Sequence, residues 1–432
     1  MFFISTRNSA NRVSLSDAIA QGIAPDGGLY IPESFPTFSP QDFDGIDDVP
    51  TLAAKLIAPF AAGDKLAGEM DAICRDAFNF PVPLVKLSGT SGPAYVLELF
   101  HGPTAAFKDF GARFLAASLE RIRKNESKKL TILVATSGDT GGAVAAAFHR
   151  RSWVDVGVLY PKGLVSPRQA QQLACWGDNI HTFTVRGTFD ECQRMVKEAF
   201  LDASLLKSHQ LSSANSINIG RLLPQMVYYA LASLLIFRAT GKKPNFIVPS
   251  GNVGNGAACI FAKQCGLPIG DIVLATNANR TVNEYLDSGN WQPRASVATI
   301  ANAMDVGNPS NMERLRKMFP DIDAMRGQVL SDSVTDEQIR ARIKTDAVAL
   351  GQVWCPHTAV AAEVYQRQAK QRAADQWVIV STAHPAKFND VVEPLIGRSI
   401  PVPEALAKLL ALPKRETEID ATLDVLRAEL QA

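Results

Sequence analysis

After Pro83 the chain alternates short apolar runs with longer mixed ones. The apolar runs fall at residues 95–100 (YVLELF), 131–135 (TILVA), 154–160, 180–185, 246–249, 272–276 and 377–381. They are short and rich in Val, Ile and Leu, so each predicts a strand. Between them, residues 105–124, 142–150, 167–176, 189–201 and 256–265 predict helices. Mostly apolar strands separated by helices form parallel sheets covered on both faces. The expected class is therefore α/β, with doubly wound parallel sheets.

Residues 1–80 read differently. Ser14-Leu15-Ser16-Asp17 marks a helix start, and residues 52–60 and 65–78 predict two more helices. Between them, residues 24–40 (APDGGLYIPESFPTFSP) are too rich in Gly and Pro for long regular elements. A small, mostly helical N-terminal domain is expected. Residues 401–432 read as two further helices. The longest apolar stretch, residues 227–237 (VYYALASLLIF), is shorter than the ~20 residues of a membrane span and predicts a buried helix.

Composition narrows the function classes. The chain has 432 residues, which suggests about two to four domains at roughly 100–200 residues each. The formal net charge is +1, so nothing electrostatic calls for nucleic acid or an anionic membrane as partner. Charge follows the apolar start MFFIS, the reverse of a secretory signal, and a cytoplasmic location is expected. The 6 cysteines form no C-x-x-C pair, and Cys355 with His357 supplies too few ligands for zinc.

Ligands of open α/β sheets sit at the carboxyl ends of strands, so the loops there are where chemistry is sought. The loop after Phe100 leads into HGPTAAFKDFGARFLAASL, residues 101–119. On a helical wheel Asp109, Arg113 and Glu120 share one stripe, expected to face solvent with Asp109 and Arg113 paired. Thr104 is a candidate cap. Lys108 falls in an apolar sector with Leu115 and Leu119. Burial lowers an amine's pKa, and a neutral amine is what a Schiff base with an aldehyde requires. The plain alternative is a lysine that snorkels to water.

Two small-residue loops can cradle a phosphate: TSGDTGG at 136–142 and SGNVGNG at 250–256, each between a strand and a helix. Neither fits G-x-x-x-x-G-K-[ST] or G-x-G-x-x-G, which disfavours P-loop ATPases and nicotinamide dehydrogenases. The second loop carries no acid, whereas Asp139 in the first would repel an adjacent phosphate. Tight strand–helix turning is the alternative for both. A third segment, residues 212–225, gathers Asn215, Ser216, Asn218 and Arg221, donors suited to a second anion. Together these features ask for a carbonyl cofactor bearing a phosphate. Pyridoxal 5'-phosphate also needs a partner for its ring nitrogen, for which Ser381 and Thr382 are candidates.

Eight segments, in order along nearly the whole chain, resemble the threonine synthase family in its bacterial and fungal form. They are GGLYIP (27–32), ELFHGPTAAFKDFGARF (98–114), ATSGDTGGAVA (135–145), YPKGLVSPRQ (160–169), SANSINIGR (213–221), VPSGNVGN (248–255), NAMDVGNPSN (302–311) and TAHPAKF (382–388). The resemblance implies a fold-type-II pyridoxal-phosphate enzyme with a tryptophan synthase β-like architecture. It would convert O-phospho-L-homoserine and water to L-threonine and phosphate, the last step of threonine biosynthesis. Lys108 aligns with the cofactor-bearing lysine. Gly251, Asn252, Val253, Gly254 and Asn255 match the loop for the cofactor phosphate, and Thr382 the ring-nitrogen partner. Thr140, Asn215, Ser216 and Arg221 match the substrate-phosphate positions. Asp139 stands where many relatives have an asparagine near the phenolic oxygen, and two anions there would have to share a proton.

The expected division is an N-terminal domain at 1–80, a large cofactor-binding domain at 81–128 and 222–432, and a small α/β domain at 129–221. A small-molecule substrate and a monomer or homodimer are expected, with no metal ligand. The competing readings are a phospho-lyase that releases 2-oxobutyrate, a catalytically idle sensor of a phosphorylated amino acid, and a phosphate-binding module without the cofactor.

Overall fold

A computed structural model describes residues 1–90 and 92–431. Its larger sheet has six strands, in the order Val329–Ser333, Ile272–Thr276, Asn245–Pro249, Trp377–Ser381, Ala94–Glu98 and Leu84–Leu87. Neighbours are parallel except the last, which pairs antiparallel at the edge. The three central strands, from Asn245 to Glu98 in that order, are almost wholly buried, as their apolar runs predicted.

The second sheet has five parallel strands, in the order Thr417–Asp420, Ile180–Arg186, Val154–Pro161, Leu130–Ala135 and Gln210–Ser212. Thr417–Asp420 corrects the expected division. Residues 222–432 do not all belong with the larger sheet, because this strand pairs with Ile180–Arg186. Its sequence, TEID, has one buried side chain, Ile419, which packs with Phe183, Val185 and Leu426. A polar edge strand with a single apolar anchor gives almost no periodic signal. The C-terminal residues form helices Glu404–Leu410 and Leu423–Gln431, as predicted, on either side of it.

The N-terminal residues contain the predicted helices as Leu15–Gln21, Val49–Ile57 and Met70–Ala77. They also form a three-stranded antiparallel sheet of Phe3–Ser5, Arg12–Val13 and Tyr30–Pro32, which the short, Pro-punctuated sequence concealed. Ser14 caps the first helix by accepting from Asp17 N, as its sequence predicted. Capping boxes at Ser166/Gln169, Thr188/Glu191 and Thr335/Gln338 fix three other starts.

The apolar stretch at 227–237 lies in helix Met226–Thr240. It continues a helical run from Ile219 that is long and apolar enough by composition to cross a membrane, but 72% of that window is buried inside the protein. It is a core helix, packed on Val49–Ile57 and Gly254–Gln264.

Ile419→Ala removes the sole apolar anchor of the C-terminal strand and should cost about 2–4 kcal/mol. The urea midpoint should fall accordingly. An unchanged midpoint would mean that the strand contributes nothing to the cooperative fold.

Candidate active site

Three neighbouring strands of the larger sheet end in register: Glu98 lies opposite Ser381, and Asn245–Pro249 runs alongside on the other side. Their loops carry Lys108, Thr382 and the Ser250–Gly256 segment. In the second sheet, the adjacent strands Leu130–Ala135 and Gln210–Ser212 end in the loops that carry Asp139 and residues 213–221. Strand order therefore gathers all the segments singled out from the sequence into one place.

Helix Lys108–Ile122 begins at Lys108 itself. The preceding loop is clamped to the last strand's loop by Phe107 N donating to Thr382 O at 2.8 Å and His384 N donating to Ala105 O at 3.0 Å. This bridge sets Lys108 beside Thr382. Ala105 pays for the turn with a φ of 53° in the left-handed region. The Lys108 ammonium lies 4.6 Å from the Phe107 ring centroid and keeps partial solvent access. Burial of its surroundings and the positive charge of Arg221 lower it to about 8, against an opposing pull from Asp139.

The solvent stripe expected through Asp109 is overturned. Asp109 is fully buried, accepting from Thr104 N at 2.9 Å and Thr104 Oγ1 at 2.7 Å. Burial raises it to about 6. Arg113 donates instead to Ala77 O, Asp76 O and Asn79 Oδ1. Wheel position alone missed this because the helix is covered on nearly every side.

In the glycine-rich loop, Val253 occupies the left-handed region at φ 60° and precedes helix Gly254–Gln264. A Cβ at Gly251 would sit 2.7 Å from Met304 Cα, so only glycine fits there. Asn252 Nδ2 donates to Ser216 Oγ at 2.7 Å, joining the loop to the 213–221 segment of the other sheet. Asn255 Oδ1 accepts from Tyr228 and Tyr229 hydroxyls at 2.5 and 2.7 Å.

Arg221 is buried in helix Ile219–Leu222 and packs under the Lys108 helix, where a Cβ on Gly111 would meet its Nε at 2.8 Å. It donates to Ala214 O, and burial lowers it to about 10. Thr140, Asn215 and Ser216 are half-buried around these loops.

Asp139 shows how the expected clash of anions is avoided. Lys387 Nζ lies 2.8 Å from its Oδ1, with the two side chains 1% and 7% exposed. Gln169 Nε2 donates to the same oxygen at 3.0 Å. Lys387 chiefly offsets the burial that would otherwise raise the Asp139 carboxyl, and the net effect is a lowered pKa. Sequence reasoning passed over Lys387 although it lies in TAHPAKF, because nothing local signals a partner so distant along the chain. His357 was likewise considered only as a metal ligand. Its Nε2 accepts from Ala303 N at 3.1 Å, and burial lowers it to about 4, so the ring is neutral. Cys355 Sγ accepts from Thr358 N at the start of helix Pro356–Gln371.

The donors fit a phosphorylated aldehyde cofactor and a second anion. Thr382 Oγ1, Arg221 Nε and Asn255 Nδ2 are buried without a hydrogen-bond partner among the described residues. The first N–H groups of helix Gly254–Gln264 point into a loop whose glycines let an anion approach.

Comparison with known proteins agrees along the whole chain. Family models described as "Threonine synthase N terminus", "Pyridoxal-phosphate dependent enzyme" and "Threonine synthase, C-terminal" match residues 2–78, 77–383 and 358–429. The threonine synthase of Haemophilus influenzae is 41% identical over 440 residues, covering 100% of this chain and 99% of that protein. The crystal structure of pyridoxal-phosphate-bound threonine synthase from Brucella melitensis superimposes with a TM-score of 0.90 at 33% identity, covering 100% of this chain and 99% of that one. The yeast threonine synthase structure gives a TM-score of 0.91 at 31% identity, covering 100% and 98%. The chain belongs to the threonine synthase family of pyridoxal-phosphate-dependent enzymes.

Proposed function

We propose that this protein converts O-phospho-L-homoserine and water to L-threonine and phosphate. The observation that carries the reading is the placement of Lys108. Its amine, lowered to about 8, starts the helix that packs on Arg221, whose Nε has no partner among the described residues and suits one phosphate, while the glycine loop at the end of a neighbouring strand suits another.

In this reading Lys108 is the catalytic residue and holds pyridoxal phosphate through its amine. Gly251, Asn252, Val253, Gly254 and Asn255 would cradle the cofactor phosphate, and the Thr382 hydroxyl, buried without a partner among the described residues, would serve the ring nitrogen. When bound, the cofactor supplies a conjugated electron sink for negative charge at the substrate's α-carbon. Lys108 would be the base that takes the α-proton, and it would move protons at the β- and γ-carbons. A pKa close to neutrality suits an amine that both accepts and returns protons.

Arg221, with Thr140, Asn215 and Ser216, holds the substrate phosphate and stabilises the charge that grows as phosphate leaves the γ-carbon. The Asn252–Ser216 hydrogen bond ties the two anion sites together, so a substrate phosphate is registered against the reactive amine. Asp139, kept ionic by Lys387, would meet the cofactor as half of a neutral pair. The small-molecule substrate leaves no call for nucleic acid or membrane, and a monomer or homodimer suffices for a site built from one chain.

Three measurements test the reading. Purified protein given cofactor and O-phospho-L-homoserine should release threonine and phosphate in equal amounts. Phosphate accompanied by 2-oxobutyrate would instead make it a phospho-lyase. Lys108→Ala should abolish both turnover and the visible absorbance of bound cofactor, and retained turnover sinks the assignment. Arg221→Ala should lower kcat/KM by about 10²–10³-fold while cofactor stays bound. Loss of cofactor in that variant would mean the two phosphate sites are exchanged.

A further inference from the structure

Two lysines and one aspartate meet at the site, Lys387 buried and Lys108 partly exposed, and the proposed reaction uses only Lys108. Lys387 sits on the 3-10 turn Pro385–Phe388, just past Thr382. Its Nζ pairs with Asp139 at 2.8 Å and donates to Thr104 O at 2.7 Å. Thr104 stands four residues before Lys108, so Lys387 spans the loop that leads to the reactive amine. The turn itself is held by Ser166 Oγ donating to Lys387 O at 3.0 Å and by Arg168 donating to Ala386 O.

The charged and titratable groups around Lys108 come from five elements. Asp109 is on its own helix, Asp139 on helix Asp139–Phe148, Arg221 on Ile219–Leu222, His357 on Pro356–Gln371 and Lys387 on the turn after Thr382. His357 is neutral, and Asp109 is satisfied by Thr104. Asp139 is the carboxylate that acts on Lys108, and its effect is to favour the ammonium. A carboxylate in a buried site takes the nearest cation as partner. Two ammonium groups therefore compete for it, and geometry awards it to Lys387.

We propose that Lys387 is a positioning residue for the reactive amine: by holding Asp139 in a closed ion pair, it prevents a Lys108–Asp139 pair and leaves Lys108 free to attack an aldehyde. The proposal rests on Lys108 being the cofactor lysine. It predicts that removing Lys387 turns Asp139 toward Lys108 and makes that amine more basic.

The test uses cofactor-free protein. Competitive labelling with acetic anhydride across pH, read on the peptide that carries Lys108, measures the pH at which the amine becomes neutral. Wild-type protein should show a midpoint of about 8. Lys387→Met should raise it by one pH unit or more, which means an about tenfold smaller neutral fraction at pH 7. Uptake of pyridoxal phosphate, followed by its absorbance, should slow by the same factor at pH 7 and recover at pH 10. Lys387→Arg keeps the pair and should leave the midpoint in place. Asp139→Asn with Lys387→Met removes both charges and should return the midpoint to within a few tenths of wild type. Lys387→Gln keeps a hydrogen-bond donor toward Thr104 O without the charge and should raise the midpoint likewise, which keeps the test decisive if Lys387→Met does not fold. A midpoint unmoved in Lys387→Met and in Lys387→Gln overturns the proposal. Wild-type protein that takes up no cofactor at any pH would overturn the family's cofactor assignment at Lys108 instead.

Discussion

A cation buried without a carboxylate is the arrangement this protein can least do without. Arg221 and Arg314 are both about 1% exposed or less, and neither is paired with an acid. Arg314 donates to Tyr30 O at 2.8 Å, to Asn311 Oδ1 and to Ile217 O at 2.5 Å. Removing a guanidinium from water costs several kcal/mol, and carbonyl oxygens only partly offset that. Burial accordingly lowers both groups, to about 10 and about 9. In the proposed reaction, the charge of Arg221, which has no carboxylate partner among the described residues, suits a phosphate.

The same residues connect the parts of the molecule. Asn311, which accepts from Arg314, donates through its Nδ2 to Asn252 O at 3.0 Å. Asn252 in turn donates to Ser216. A continuous line of hydrogen bonds thus runs from Tyr30 in the N-terminal sheet, through Arg314 and Asn311, to the glycine loop and the 213–221 segment. The N-terminal residues, which carry no reacting group, act on the site by fixing where Ile217 and its neighbours lie. Two of the four described non-glycine residues with positive φ lie in these segments: Ala105 stands three residues before Lys108, and Val253 lies within the glycine loop.

Much of this was legible in the chain. Strands of the parallel sheets that are apolar on both faces declare themselves, because burial on two sides leaves no polar alternation. Helix starts were readable at Ser14, and the segments around Lys108, Ser250 and Arg221 stood out as loops at strand ends. The weak strands were not readable. Arg12–Val13, Gln210–Ser212 and Thr417–Asp420 are short and mostly polar, and pairing with a distant strand is what makes them strands. Asp109 was misread for a related reason: a wheel shows which residues share a face, but the packing of neighbouring elements decides whether that face meets water.

The sequence by itself singled out Lys108, the glycine loop at 250–256 and Arg221 as candidates, because each stands out by residue type and local spacing, and the family resemblance suggested their roles. Tertiary structure decided their charge states. Lys108 is lowered first by the burial of its surroundings and then by Arg221 beneath its helix, and Asp139 stays ionised because Lys387 arrives from a strand end more than two hundred residues away along the chain. A pKa depends on which charges and how much water lie within a few ångströms. Local sequence carries neither quantity, and only the folded arrangement of the two sheets supplies both.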